Sequence, residues 1–117
     1  MRSLRGYVPD KSGIRVNTVC PWMTRTIMTS GIEADWMDAK LPVNEPEDVA
    51  RVIAEIVVSN GLNGKSMYVE GGRAWEVEDS LVRLEPQWLG EEASRTLNLG
   101  QTVLGTGDSW SAGKSRL

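Results

Sequence analysis

An α/β fold, two parallel strands joined by a crossing helix, is what this sequence predicts, and three observations carry that prediction. Ile14, Val16, Thr18 and Cys20 alternate with Arg15, Asn17 and Val19, a period-two pattern rich in β-branched residues that predicts a strand over 14–20. Val49, Val52, Ile53, Ile56 and Val57 recur at helical spacing, and Ala50 and Ala54 widen that apolar face, so a helix is expected over 46–60. Ser66 to Glu70 then reads as a second strand. Strand, helix, strand in this order makes a right-handed crossover, which sets the two strands parallel.

From the amino terminus, Met1 to Val8 has helical spacing, with Leu4 and Val8 four apart, and 9–13 is a turn. The first strand stops at Pro21 and runs into Thr24-Arg25-Thr26. A hydroxyl-bearing loop there has the form of a ligand-contacting βα loop, because open α/β sheets bind ligands beyond the carboxyl ends of their strands. Thr26 to Ile32 reads as a short helix and 33–42 as a mobile connection, with Trp36 and Met37 expected to pack rather than line a pocket. Asn44 reads as the polar cap of the crossing helix, Pro46 fits its first turn, and Glu47 and Asp48 suit its dipole. Asn60-Gly61 ends it with residues that tolerate left-handed backbone.

Gly71-Gly72 leaves room for close backbone approach after the second strand. Further helices are expected after residue 73, over 74–84 and 91–104, divided at Glu85-Pro86 and anchored by Trp75, Leu81, Leu84 and Trp88. Glu76, Glu78 and Asp79 read as a solvated face rather than a metal site. Residues 1–104 form one domain by this reading. The Gly- and Ser-rich stretch 105–117 is an expected disordered tail, and its Gly105-Thr106-Gly107 lacks the preceding strand a dinucleotide loop needs.

The composition, 117 residues with 40% hydrophobic and 25% charged, suits a single soluble domain. Net charge is −3 and the thirteen Lys and Arg are scattered, which argues against nucleic acid as a partner. The single cysteine, Cys20, has no internal disulfide partner and is expected to be a buried core thiol, and the lack of histidine leaves no zinc set. No apolar run approaches the ~20 residues of a membrane span, and no signal-peptide pattern follows Met1, so a cytoplasmic protein is expected.

The run GIRVNTVCPWMTRT at 13–26 resembles the sixth strand and following loop of short-chain dehydrogenase/reductases, I-R-V-N-x-V-x-P-G-x-V-x-T. GKSMYVEGG at 64–72 resembles the seventh strand of the same family, G-x-x-x-x-V-D-G-G. The resemblance spans roughly residues 1–90 and implies the C-terminal portion of a Rossmann-like doubly wound fold. It also implies an NAD- or NADP-dependent oxidoreductase of small-molecule metabolism, with a substrate lid near 26–42. Pro21, Thr24 and Thr26 fall on the family's nicotinamide-contacting loop and are the expected cofactor-binding residues, while Trp22 stands where glycine is usual.

Tyr7 and Lys11 match the family's Y-x-x-x-K, but Pro9 between them prevents the shared helical face that the pair needs, and the pair lies too close to the strand. No catalytic residue is therefore assigned. The glycine-rich pyrophosphate turn and the residue that distinguishes NAD from NADP are also missing from the sequence. The expectation is a truncated family member that, as this chain alone, neither binds the dinucleotide nor transfers hydride. Two other classes stay open: a non-redox isomerase or cyclase reusing the remnant pocket, and a non-catalytic protein docking on a full-length relative. A two-stranded parallel sheet with one strong helix leaves a face or edge uncovered. A homo-oligomer or a complex with a relative is therefore expected, built through Glu47–Asn60 and Ser66–Glu70 as the resemblance implies.

Overall fold

The computed structural model of the chain describes residues 13–104. Its elements are β1 (Thr18–Pro21), a single 3-10 turn (Ile27–Thr29), α1 (Glu33–Asp38), α2 (Pro46–Val58), β2 (Ser66–Glu70), β3 (Arg73–Glu76), α3 (Glu78–Arg83), α4 (Glu85–Leu89) and α5 (Glu91–Leu104). The helix expected over 1–8, the Tyr7 and Lys11 pair, and the tail 105–117 lie outside the described residues.

β1 and β2 are parallel, with Thr18 opposite Ser66 and Cys20 opposite Tyr68, as the crossover argument requires. β1 is displaced from the predicted 14–20. The Val16 N–H goes to Asn63 Oδ1 (2.9 Å) and the Asn17 amide bridges Leu62 O (2.9 Å) and the Lys65 N–H (3.0 Å), so this stretch is tied to the loop before β2 and not to its ladder. At the other end the strand includes Pro21. Thr18 and Trp22 donate to Lys65 O and Val69 O, both at 2.8 Å. Alternate amides point the same way, so the proline nitrogen faces the free edge, where a missing N–H costs nothing.

A third strand corrects the expectation of helix directly after residue 73. β3 pairs antiparallel with β2, Glu70 opposite Arg73 and Tyr68 opposite Trp75. Gly71 and Gly72, at φ 55° and 74°, supply two successive left-handed residues, which is the turn that suits the twist of a two-residue hairpin. A Cβ on Gly71 would also lie 2.9 Å from Pro42 Cβ, so the chain needs glycine there for space as well as for φ.

The core is small. Val52 and Ile56 of α2 meet Val69 of β2, with Val19, Val49, Leu62 and Met67 packed around them. Because α2 covers only this side, Ile53 and Val57 on its flank stay 47% and 63% exposed. The helix ends at Val58 rather than Asn60, and its C-terminal carbonyls are capped by Arg15. That guanidinium donates from Nη1 to Ile56 O (3.1 Å), Ser59 O (2.7 Å) and Leu62 O (3.2 Å), and from Nη2 to Val57 O (2.8 Å).

After β3 the helices come in three pieces broken at Leu84 and Gly90, and Glu85-Pro86, expected as the break, instead opens α4, which packs on α5. The buried Glu85 carboxylate accepts from Ser94 Oγ (2.9 Å) and Asn98 Nδ2 (3.1 Å) at that contact. Trp75, Leu81, Leu84 and Trp88, the expected anchors, are instead exposed. The acidic run is not a simple solvated face either, since Glu78 is buried and accepts from Ser66 Oγ (2.8 Å), while Glu76 accepts the Glu78 and Asp79 N–H groups. The Cα radius of gyration is 19.0 Å, against roughly 13 Å for a compact domain of this length.

Candidate functional site

The loop after β1 is held in place by one buried side chain. Asn44, expected as the cap of α2, leaves that position to Glu45, whose N–H is bonded by Asp48 Oδ2 at 2.9 Å. Asn44 itself is fully buried. Its main chain accepts from Arg25 N–H (2.9 Å) and donates to Met23 O (2.8 Å), forming a single parallel bridge with Thr24. Its side-chain amide donates to Val69 O (2.9 Å) and Thr24 Oγ1 (3.4 Å), and its Oδ1 accepts from the Gly72 N–H (3.0 Å). One residue thus ties together the β1 loop, the end of β2 and the hairpin turn.

Within the loop, Thr24 Oγ1 donates to Trp22 O (2.9 Å), and Thr29 Oγ1 donates to Thr24 O (2.8 Å) while accepting the Thr26 N–H (2.9 Å). Arg25 pins the loop from outside, bonding Glu45 through Nε at 2.9 Å and pairing with Glu33 at the start of α1. The three residues singled out from the sequence are brought together. Pro21, Thr24 and Thr26 line one cavity of about 410 Å³, with Trp22, Met23 and Thr29 from the same loop and Pro46 and Val49 from the first turn of α2.

Trp22 takes a second role that its place in the loop did not suggest. Its ring lies 5.9 Å from that of Trp36 and 6.3 Å from that of Tyr68, and Tyr68 lies 6.0 Å from Trp75, all tilted. Trp36 is anchored by a bond from Nε1 to Pro42 O (2.9 Å), while Met37 beside it is exposed. The sequence signal for this row was the i, i+2 alternation of β2 continued across a Gly-Gly turn, which sets Tyr68 and Trp75 on one face. Cys20 belongs to the same face and is exposed, which corrects the expectation of a buried thiol. The expectation failed because α2 packs on the Val19 side of β1, and Cys20 on the opposite side stays exposed.

The Tyr68 phenol is pushed above its ordinary value, first by partial removal from water and then by the Glu70 carboxylate, which accepts its O–H at 3.3 Å. Both favour the neutral phenol in the folded protein, so the associated stabilisation is complete below the usual phenol range and is lost as pH rises through the raised pKa. In an ultraviolet titration the Tyr68 step should lie above the ordinary phenol range, and Glu70→Gln should bring that step down. An unchanged step would show that the carboxylate plays no part.

No group of three or more His, Cys, Asp or Glu positioned for a metal ion occurs among the described residues, and none of their helices is long and apolar enough to cross a membrane. Residues 8–74 match the family model described as enoyl-(acyl carrier protein) reductase, and the chain belongs to the short-chain dehydrogenase/reductase family. It is 37% identical over 65 residues to carbonyl reductase family member 4 of Xenopus laevis and 35% identical over 65 residues to the protein of the same name from Xenopus tropicalis. Each match takes in 53% of this chain but 28% of the relative, so the chain spans little more than a quarter of those proteins' length. No solved structure is significantly similar to it.

Proposed function

We propose that the chain supplies the nicotinamide-facing loop and lid of an NAD(P)-dependent oxidoreductase acting on a small-molecule carbonyl, and that it transfers no hydride by itself. The observation that carries this reading is the convergence of Pro21, Thr24 and Thr26 on one cavity. That depression is open to solvent, with the β1 loop as its floor. The loop fits the nicotinamide end of such a cofactor: the Thr24 and Thr26 hydroxyls stand beside apolar walls from Pro21 and Val49. The cofactor would supply the hydride when bound. The chain's own contribution is to orient the ring's substituents through these hydroxyls and to shield that end from water with Met23 and Trp22.

Nothing in the sequence fits the pyrophosphate end. The glycine-rich turn, the ribose-reading residue and a proton-donating tyrosine and lysine on one helix are what the family's chemistry requires elsewhere. Their loss removes orders of magnitude in rate. The partial core and the uncovered sheet support a chain that works assembled, either with copies of itself or with a full-length relative, and a single free thiol suits a cytoplasmic setting. Titration calorimetry with NADH and NADPH tests the cofactor reading. The isolated chain should show no binding tighter than about 10 μM, roughly 7 kcal/mol. Tighter binding would overturn the claim that it cannot act alone.

A further inference from the structure

Two Asn-Gly pairs follow α2 in quick succession, Asn60-Gly61 and Asn63-Gly64, and the fold treats them oppositely. The second is clamped by the main chain of Val16, whose N–H donates to Asn63 Oδ1 (2.9 Å) and whose carbonyl accepts the Gly64 N–H (2.8 Å). Gly64 also needs to be glycine, at φ 71°. The first pair occupies the two central positions of a turn closed by the Leu62 N–H on Ser59 O (3.1 Å). Among the described residues, neither the Asn60 side chain nor the Gly61 N–H has a hydrogen-bond partner. Gly61 does not use the left-handed backbone that glycine tolerates, and no atom beyond its chain neighbours lies within 4 Å of where a Cβ would stand. What glycine supplies there is an unhindered backbone nitrogen.

We propose that Asn60 is a site of spontaneous deamidation through a cyclic imide, and that the fold protects Asn63 from the same reaction. The Gly61 nitrogen gives up its proton to water and attacks Asn60 Cγ, the bond from Cγ to the side-chain nitrogen breaks, and ammonia leaves. Water then opens the ring, at the side-chain carbonyl to aspartate or at the main-chain carbonyl to isoaspartate. The net change is one water in and one ammonia out, with no oxidant or reductant. At Asn63 the attack must first break both bonds to Val16, because the Gly64 nitrogen holds its proton on one carbonyl and the side chain is turned to one N–H. The consequence of reaction at Asn60 falls on the cap of α2. Arg15 Nη1 donates to Ser59 O and Leu62 O, on either side of the pair. An isoaspartyl link adds a backbone atom between those two carbonyls and loosens the grip of the guanidinium on the helix end.

Peptide mapping by mass spectrometry, on the full chain aged in mildly alkaline buffer, tests this. In the folded chain Asn60 should convert at least about tenfold faster than Asn63, a barrier difference of about 1.4 kcal/mol. In urea, where the Val16 clamp is gone, the two rates should converge. Gly61→Ala should slow conversion at 60 by at least about tenfold, because its methyl crowds the nitrogen, while circular dichroism stays that of the parent because the space beside it is open. Aged parent should lose amide-exchange protection at the carboxyl end of α2, and Gly61→Ala aged alongside should keep it. Conversion at Asn63 as fast as at Asn60 in the folded chain, or a ratio that urea leaves unchanged, would overturn the inference. So would an Asn60 that stays intact in the folded chain while both residues convert in urea. Converted chain that keeps full protection at the end of α2 would overturn the link to the Arg15 cap.

Discussion

Asn44→Leu is expected to lower the stability of the chain by about 3 kcal/mol, the largest effect of any single change considered, with loss of folding as its limiting outcome. Leucine is close to asparagine in length, so the loss comes from polar groups left behind rather than from a void. The part-buried Gly72 N–H loses its partner on the side chain, at a cost of about 1–3 kcal/mol, and the buried Val69 carbonyl loses one of its two donors while keeping the Trp22 N–H. Thr24 Oγ1 loses a longer bond. Asn44→Asp separates the parts, because it retains the acceptor for Gly72 and removes the donors to Val69 and Thr24 while burying a carboxylate. The readout is the urea midpoint at one fixed protein concentration, since an associating chain is stabilised by mass action. A leucine variant within about 0.5 kcal/mol of the parent would show that water replaces the amide and that Asn44 does not organise the loop.

Arg15→Met should destabilise by about 2 kcal/mol, and for a different reason. The Ile56 and Val57 carbonyls of α2, that of its cap Ser59 and that of Leu62 in the following loop accept from one guanidinium, where an unbonded helix C-terminus would otherwise present its partial negative charge to a groove lined by Asn17, Val19 and Ile53. Methionine keeps most of the aliphatic stem, so the loss is confined to the charged fork. Arg15→Lys should recover only part, because an ammonium cannot reach Ile56, Val57, Ser59 and Leu62 from one position as the planar fork does. Full recovery with lysine would mean that charge alone, and not geometry, caps the helix. The effect should appear as lost amide-exchange protection at the carboxyl end of α2 before it appears in the loop after β1, where the Asn44 variant acts first.

The two predictions differ in how far each residue could be read in advance. Arg15 occupies an outward position in an alternating strand pattern, where an arginine ordinarily means a solvated side chain. Only the fold shows that the first residues of that pattern leave the sheet and cross the end of α2. Asn44 sits next to a proline and two acids, a setting that favours a capping role, and Glu45 takes the cap while Asn44 turns inward. In both cases the side-chain partners lie between 20 and 47 positions away in sequence, and no local pattern encodes them.

The parallel strands and the crossing helix with Val52 and Ile56 inward follow from the sequence by itself. Each depends on alternation or helical spacing, interactions that act over a few residues. The third strand lay at the border: Gly71-Gly72 carries the hairpin signal, but whether Arg73–Glu76 pairs or coils is decided by the free edge of β2 waiting beside it. What tertiary structure alone decided is which side of the sheet is covered. α2 takes the valine side of β1, so a cysteine and an aromatic row are left facing outward. Nothing in the order of residues along a strand distinguishes its two faces until another element lies down on one of them.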